Sequence, residues 1–455
     1  MVKKEAVLGE IPENREAYGT TLNIAIPAVL ESVSIALMGM VNTVMVAGIG
    51  DHAVAAVGLT QQPRMLLFSL FMALNIAMTA IVARNKGAGN MAVARKCLRH
   101  SLMLKTIMGV GLTAVAVFLA YPLMALAQAE ADTIGLAASY FRITGFALIL
   151  QMLTMSICAA QRACGNTKIT LRVNVTAHAL NVILNFLLIE GRFGLPRLEV
   201  DGAAWSIVIS AVVAFGLAAG SVLHRDSILR LSKHDSWRFE KPMLKSITNI
   251  AKGSLLEQAG LRFGFFAYAI VVAGLGTEDF AAHIVAQQFM VLSFTFAEGI
   301  GAATTALVGQ NLGKKRPDLS IMYGKIGIRL AVVAAIILSL ASIALRYQFS
   351  AIFLNDPATI ATSATLMLIL AIVLPIQTSQ LVMGGSLRGS GDTRYVAITM
   401  ILSVGILRPL LAFVLVWTLG FGIIGAWITV IFDQLARLVL LFSRFAGGKW
   451  LKVKI

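Results

Sequence analysis

Long apolar stretches, separated by short polar breaks, run along almost the whole chain. A helix needs roughly 20 mostly apolar residues to cross a bilayer, and each of these stretches is about that long. The predicted spans lie near residues 20–46, 57–83, 102–124, 135–160, 169–190 and 202–224, then near 247–273, 281–309, 323–346, 359–386, 396–418 and 423–445. The pattern therefore predicts twelve transmembrane helices in two groups of six.

The two groups of six are copies of each other. Residues 24–87 align without a gap to residues 250–313, so each residue matches the one 226 positions later. The matches include Leu30-Glu31 with Leu256-Glu257, Val46-Ala47-Gly48 with Val272-Ala273-Gly274, and Gln61-Gln62 with Gln287-Gln288. The same offset persists downstream, where Gln151 matches Gln377 and Arg162-x-x-Gly165-x-Thr167 matches Arg388-x-x-Gly391-x-Thr393. A fixed offset over this length indicates an internal duplication.

The duplication predicts the domain organisation. We expect residues 1–224 to form an amino-terminal lobe of six helices and residues 247–455 to form a carboxyl-terminal lobe, joined by a cytoplasmic linker at 225–246, the longest polar stretch. An even number of spans returns each copy to the same side of the membrane. The expected fold is therefore all-α, with two parallel six-helix repeats related by a pseudo-two-fold axis along the membrane normal.

Composition agrees with a membrane protein and excludes a soluble globule. Of the 455 residues, 58% are hydrophobic and only 13% are charged, whereas soluble domains carry about 25% charged residues. The mean hydropathy is +0.83. Residues 1–17 mix acidic and basic side chains without an apolar core, so we expect the first span to serve as its own insertion signal.

The positive charge of the chain is distributed unequally between alternate loops. One set carries nearly all the loop arginines and lysines, including Arg162 and Arg388, and the other carries only Arg192, Arg197 and Arg346. Since basic residues near span ends stay in the cytoplasm, both termini are expected there, in a multi-pass protein of the plasma (inner) membrane. The net charge of +16 then reflects sidedness and contact with anionic lipid rather than nucleic-acid binding.

Motifs for ATP, metal or covalent chemistry are absent from the sequence. It contains no Gly-x-x-x-x-Gly-Lys-Ser/Thr loop, no His-Glu-x-x-His pair and no Gly-x-Ser-x-Gly elbow. The three cysteines, Cys97, Cys158 and Cys164, have no metal-ligand spacing and are expected to be reduced thiols. We therefore expect a transporter rather than an enzyme, without a cofactor, driven by an ion gradient or by the solute itself.

Acidic residues inside the predicted spans are the first candidates for ion coupling. An ionised side chain at mid-bilayer depth costs about 2.5–3.5 kcal/mol, so it persists mainly beside a wet cavity or a partner. Glu31, its repeat mate Glu257, and Glu298 stand out. The alternative is that Glu31 and Glu257 lie near cytoplasmic helix ends and are satisfied by water or by a basic neighbour such as Arg262.

A second set of candidates is neutral and polar. Span 5 carries Asn174, His178, Asn181 and Asn185 at i, i+4, i+7 and i+11, which places them on one helix face. Asn42 lies about three turns after Glu31 in span 1. These side chains either line the amino-terminal lobe or join helices by hydrogen bonds worth about 0.6–2 kcal/mol; for His178 alone we expect a structural hydrogen bond. Gln287, Gln288 and Gln377 complete the predicted lining.

The sequence resembles the multidrug and toxic compound extrusion (MATE) transporters over almost its whole length. The resemblance rests on Pro27-x-x-x-Glu31, Val41-Asn42-Thr43 to Val46-Ala47-Gly48-Ile49-Gly50, Ala281-Ala282-His283, Leu307-Val308-Gly309-Gln310-Asn311-Leu312-Gly313 and Ser386-Leu387-Arg388-Gly389-Ser390-Gly391-Asp392-Thr393. It implies a two-lobed, V-shaped protein that exports organic cations or other amphiphiles as protons or sodium ions enter.

The resemblance also exposes departures at the expected cation sites. Many members of the family have aspartate where this chain has Asn42 and Asn185, while Asn181 matches their asparagine; Gln377 replaces a further aspartate, and the span 7 glutamate of one branch aligns nearer Leu261. An amide carries no proton and binds sodium less strongly than a carboxylate. The coupling role is therefore assigned to Glu257 and Glu298, with Glu31 as the amino-terminal candidate.

The resulting hypothesis is a secondary active antiporter that exports amphiphilic, cationic small molecules in exchange for H⁺ or Na⁺. The alternative is a lipid-linked oligosaccharide flippase of the same superfamily, which would read pyrophosphate with the arginines inside the spans: Arg142, Arg262, Arg329 and Arg408. A membrane enzyme would need a catalytic constellation that the sequence lacks. Small amphiphiles and membrane lipid are the expected partners, nucleic acid is not, and one chain is expected to suffice for transport.

Overall fold

A computed structural model describes residues 7–127, 133–232 and 235–453, apart from the side chains of residues 51, 62 and 66. Within these ranges, twelve helices are long and apolar enough to cross a membrane. The amino half contains α1 Asn14–Ala47, α2 Asp51–Gly87, α3 Met91–Phe118, α4 Ile134–Ala163, α5 Thr167–Leu188 and α6 Glu199–Leu223. The carboxyl half contains α7 Lys241–Ala273, α8 Thr277–Gly313, α9 Pro317–Phe353, α10 Pro357–Ser390, α11 Thr393–Thr418 and α12 Gly422–Ala446.

The helix boundaries reproduce the sequence repeat. Helices α2 and α8 begin and end 226 residues apart, and α5 and α11 begin at the same offset. The turn before each of the first pair uses a glycine with positive φ, +138° at Gly50 and +109° at Gly276, a conformation that a side chain would strain. The prediction of an all-helical fold with twelve transmembrane helices is confirmed.

The chain divides into two compact units at positions other than the predicted lobe boundaries. One unit contains Leu30–Thr248, and the other contains the stretch that ends at Val29 together with the stretch that begins at Asn249. The lobes predicted at 1–224 and 247–455 describe the sequence repeats and stay a prediction. Helix α1 therefore contributes to both compact units, and the change of unit comes two residues after Pro27.

The first half of α1 packs with the carboxyl helices. Ala17, Ile24 and Ala25 are buried in one hydrophobic cluster with Leu307 of α8 and Tyr323 of α9. At the end of this segment, a Cβ added at Gly299 would lie 2.6 Å from the Cα atom of Val29. Small residues on both helices permit this close approach.

The described part of the linker folds back onto the start of α3. Asp235 accepts a hydrogen bond of 2.9 Å from the Ser232 amide and pairs with Arg99 at 2.7 Å. These interactions, the backbone hydrogen bond first, lower the pKa of the Asp235 carboxyl below its usual value. The amide of Glu240 donates to Nε2 of His100 at 2.9 Å. Lys233 and His234, which belong to the predicted linker, lie outside the described residues.

Helix α11 is not regular. Its turns at Ile401–Leu407 and Val414–Thr418 are π-helical. Pro409 has no amide hydrogen to donate four residues back, so the ordinary α-helical ladder is interrupted at this point. Such wider turns occur frequently at functional sites. Arg408 lies directly after the first of them.

Candidate transport sites

Glu31 of α1 lies in a saturated polar cluster of the amino unit. Its side chain is 3% exposed. Oε1 pairs with Arg162 of α4 and accepts a hydrogen bond of 2.8 Å from Asn174 of α5, while Oε2 accepts one of 2.7 Å from Thr170. Both carboxylate oxygens thus have partners, which removes most of the cost of burying this charge.

Three of the predicted amides, Asn42, Asn181 and Asn185, form a second polar cluster between α1 and α5. Asn185 of α5 donates a hydrogen bond of 2.6 Å to Asn42 of α1 and a longer one of 3.4 Å to Asn181. The Asn185 carbonyl oxygen is buried and has no hydrogen-bond partner. Since Glu31 with Asn174 and Asn42 with Asn185 have the same sequence separation, α1 and α5 run in the same direction with these faces in contact.

His178 lies between the two clusters along α5. Its ring is half-buried, and its Nε2 atom is buried without a hydrogen-bond partner. The structural hydrogen bond expected for this residue is not present at Nε2. The four polar residues of α5 therefore do share a face, as the spacing predicts, and two of them, Asn174 and Asn185, donate hydrogen bonds across it to α1.

Glu257 of α7 repeats the ion pair of Glu31 in the carboxyl unit. Its Oε1 atom accepts a hydrogen bond of 2.7 Å from Arg388 of α10, and the side chain is 3% exposed. Arg388 is the repeat mate of Arg162. The second oxygen, Oε2, is buried and has no hydrogen-bond partner. Glu257 therefore keeps one carboxylate oxygen available, whereas Glu31 does not.

None of the remaining predicted residues is a hydrogen-bond partner of the Glu257 carboxylate in the part of the chain that the structure describes. Glu298 and Gln288 are exposed on α8, whereas Gln287 is half-buried and lines a cavity described below. Gln377 of α10 is buried, and its Oε1 atom has no hydrogen-bond partner. The assignment of Glu257, Glu298 and Glu31 to ion coupling stays a prediction.

A buried lysine in the amino unit was missed by the sequence analysis. Lys105 of α3 is fully buried and donates hydrogen bonds to Asn75 of α2 and, at 2.6 Å, to Ser156 of α4. Both partners are neutral. It was missed because it lies near the end of a predicted span, where lysine side chains usually reach the interface. Considering only the acidic residues inside the spans does not reveal a site built on a lysine.

A charged triad in the carboxyl unit was also missed. Asp433 of α12 is 0% exposed and pairs through Oδ2 with Arg408 of α11 and with Arg437, one turn further along α12, at 2.6 Å. Asp433 lies inside the twelfth predicted span and should have joined the intramembrane acids. The i, i+4 spacing of Asp433 and Arg437 is itself a signal of a pair on one helix face.

A small cavity of about 70 Å³ lies beside this triad, wholly within the carboxyl unit. Arg408 is the only charged residue in its wall. Aromatic and other side chains supply the rest of the wall: Phe265, Tyr268, Ala269, Phe280, His283, Ile284, Gln287, Met290, Trp427 and Val430. A mostly apolar wall with a few convergent polar groups is typical of a small-molecule site.

The arginines that a pyrophosphate-binding flippase would use are not gathered at this cavity. Arg142, Arg262 and Arg329 are exposed, and Arg329 donates a hydrogen bond of 3.3 Å to the hydroxyl of Tyr18. Only Arg408 of the four is buried. The arrangement within each unit therefore gives no support to the flippase alternative.

The ion pairs that Glu31 and Glu257 form with arginines could have been predicted from the repeat. Arg162 and Arg388 were assigned to cytoplasmic loops, but they lie in the last turns of α4 and α10 and pair with the two glutamates. An acid and a base that both recur at one offset predict a recurring pair. Among the described contacts of Glu257, the ion pair is with Arg388 rather than with the suggested neighbour Arg262.

Fold and buried charges together define an integral membrane transporter with duplicated six-helix halves. The MatE family model matches the chain twice, over residues 27–187 and 254–414, once in each copy of the repeat. The chain belongs to the MATE family of transporters. This is a family of membrane transporters rather than enzymes.

Curated relatives and solved structures extend the same likeness over the whole chain. The chain is 27% identical to "Probable multidrug resistance protein NorM" of Thermotoga maritima, covering 97% of this chain and 94% of the relative. It is 28% identical to "Multidrug resistance protein PmpM" of Pseudomonas aeruginosa, covering 84% and 80%. An "outward-facing conformation of a multidrug resistance MATE family transporter" superposes with a TM-score of 0.89 at 20% identity, covering 99% of both chains.

Proposed function

We propose that this transporter exports amphiphilic, cationic small molecules in exchange for H⁺ or Na⁺. The membership of the MATE family and the multidrug resistance names of its relatives support efflux of varied small molecules. The basic residues of alternate loops support an inner-membrane protein with both termini in the cytoplasm. A single chain is the proposed functional unit.

The observation that carries the coupling proposal is the unpartnered carboxylate oxygen of Glu257. Oε2 is buried and accepts no hydrogen bond, while Arg388 occupies Oε1. A proton or sodium ion at Oε2 would satisfy a group that otherwise costs about 1–3 kcal/mol or more when it is left unpaired. Binding and release of that cation then differ in free energy between protein conformations, which is the requirement for coupling.

Glu31 and Glu298 have weaker claims to the same role. The two oxygens of Glu31 already accept from Arg162, Thr170 and Asn174, so a cation would have to displace one of these donors. Glu298 is exposed on α8, where a cation gains less from a carboxylate than in a low-dielectric site. Glu257 is therefore the proposed principal coupling residue.

The test uses purified protein in proteoliposomes with separately imposed proton and sodium gradients. Replacing Glu257 by Gln keeps the shape of the side chain and removes its charge; we expect gradient-driven ethidium export to fall at least tenfold. Glu31→Gln is the matched control because it makes the same change at the repeat mate, and we expect it to retain more activity. Full activity in both Glu257→Gln and Glu298→Gln would defeat the assignment to the carboxyl copy.

A further inference from the structure

The cavity beside Arg408 has a charge opposite to the one that a cation site needs. Its wall is aromatic and apolar apart from Arg408, His283 and Gln287, and no acidic residue belongs to it. The guanidinium of Arg408 lies over the rings of Phe265 and Tyr268, with distances of 5.2 and 5.4 Å to the ring centroids. A ligand in this cavity meets one positive charge and several π-faces.

The position of that positive charge is fixed by the residues behind it. Nε and Nη2 of Arg408 both donate to Oδ2 of Asp433, which also accepts from Arg437. Two arginines thus share one aspartate, so the triad carries one formal positive charge in excess. Buried charge without compensation is costly, and an anion beside Arg408 would balance it.

Two further groups in the wall lack hydrogen-bond partners. The indole Nε1–H of Trp427 is a buried donor without a hydrogen-bond partner. The Nδ1 atom of His283 is also buried without a partner, and it donates in the Nδ1–H tautomer. The two rings are in edge contact, with centroids 5.7 Å apart. Unpaired donors at a cavity lined by an arginine are suited to an acceptor such as a carboxylate.

The amino copy of the repeat does not reproduce this arrangement. The residues 226 positions before Arg408 and Tyr268 are Val182 and Asn42. The amino copy therefore has neither the guanidinium nor the aromatic face at the equivalent positions.

We propose that this cavity binds the carboxylate end of an aromatic amphiphile, with Arg408 as its ionic contact and Trp427 and His283 as further donors. The volume suits the head of such a molecule rather than the whole of it. This inference rests on the proposed efflux function for its biological role and assigns the carboxylate of a substrate to one position in the carboxyl unit. Asp433 acts as the positioning residue for Arg408.

The test compares two ligands that differ in one group. Norfloxacin has an aromatic carboxylate and a charged amine, and its methyl ester keeps the amine but lacks the carboxylate. Binding of each to the purified full-length protein in detergent is measured by equilibrium dialysis, with protein-free micelles as the blank. We expect norfloxacin to bind at least threefold more tightly than the ester; equal or weaker binding would overturn the proposal.

Substitution of Arg408 then locates the contact. Arg408→Gln leaves Asp433 paired with Arg437 and the pair electrically neutral, so we expect a folded protein whose affinity for norfloxacin is at least tenfold lower and whose affinity for the ester changes less than twofold. Arg437→Gln is the matched control, because it removes the same charge from the same triad but not from the wall; a loss below threefold is expected. Equal losses in both variants, or no loss in either, would refute the contact.

A third variant decides the case if Arg408→Gln fails to fold. Trp427→Phe keeps an aromatic side chain but removes the Nε1–H donor together with the five-membered ring, and we expect at least a threefold loss for norfloxacin with the ester changed less; no loss overturns the proposal. Because dialysis needs no gradient, its result is independent of ion coupling. Intact norfloxacin binding with no gradient-driven transport would sink the proposed function and leave this inference standing.

Discussion

The two ion pairs at Glu31 and Glu257 are built from the same repeat but differ in how completely they are satisfied. Each glutamate pairs with an arginine at the same sequence separation. In the amino copy, Thr170 and Asn174 add two more donors. Their repeat mates are Val396 and Met400, which donate nothing comparable, so Glu257 keeps one oxygen unpaired.

The helix interfaces around these pairs differ in the same way. In the amino copy, α1 and α5 meet through amides, at Asn42 and Asn185. In the carboxyl copy, α7 meets α11 through Gly260 and Gly264: a Cβ at Gly260 would lie 2.6 Å from the side chain of Ile401, and one at Gly264 would collide with the carbonyl oxygen of Val404. Two small residues four apart permit this close packing in lipid.

The comparison teaches that the duplication has kept the ion pair and allowed its surroundings to diverge. A pair in which both carboxylate oxygens already accept hydrogen bonds, as at Glu31, stabilises one arrangement of helices. An incompletely satisfied pair leaves a buried acceptor for a cation. This difference is the basis for proposing a structural role for Glu31 and an ion-coupling role for Glu257.

Replacing each arginine in turn is expected to give the largest difference in stability between the two copies. Arg388→Met leaves the buried Glu257 without the guanidinium that donates to its Oε1 atom, and we expect a stability loss of about 3–5 kcal/mol. Arg162→Met should cost less, because Thr170 and Asn174 still donate to Glu31, and hydrogen bonds to a charged group contribute about 1.5–3 kcal/mol each. Thermal unfolding in detergent measures both.

A double variant serves as the control for that experiment. Arg388→Met combined with Glu257→Gln removes both charges, and we expect it to recover most of the loss. Equal losses for the two single arginine variants would show that Thr170 and Asn174 do not distinguish the copies.

The glycine contact tests the difference between the helix interfaces. Gly264→Ala forces a methyl group against the backbone of Val404, and we expect a loss of about 1–3 kcal/mol from overpacking. Gly39→Ala in α1 is the matched change, since a Cβ there meets nothing within 4 Å; it should be neutral or stabilising by about 0.5–1 kcal/mol. Thermal unfolding compares them, and a neutral Gly264→Ala would contradict close packing of α7 on α11.

The smallest expected effect sharpens the comparison by adding a carboxylate to the amino copy. Asn42→Asp places an acid where Asn185 donates its hydrogen bond of 2.6 Å, and we expect sodium dependence of export to appear or to increase by about two- to fivefold, equivalent to about 0.4–1 kcal/mol. Export under an imposed sodium gradient is the measurement, with Asn42→Leu as the uncharged control. Unchanged ion dependence would argue that this part of α1 is not a cation site.

Most of the architecture could be read from the chain, and much of the candidate site could not. Span length and the offset between Glu31 and Glu257 predicted twelve helices and two copies, both confirmed. Arg388 was assigned to a loop although it completes a pair, and Lys105 and Asp433 were missed. Hydropathy reports how apolar a segment is on average, but it does not report which side chains at its ends turn inward.

The sequence by itself determined that this protein spans the membrane and is built from a duplicated unit, because lipid leaves the backbone no hydrogen-bond partners outside the helix and so ties span number to apolar length. The tertiary structure decided which polar groups meet. Arg162 and Glu31 are far apart in the chain, and their contact depends on the rotation and depth of α1 and α4. Those are set by the packing of neighbouring helices in the same unit, such as the contact of α1 with α5 at Asn42 and Asn185, and no local pattern encodes them.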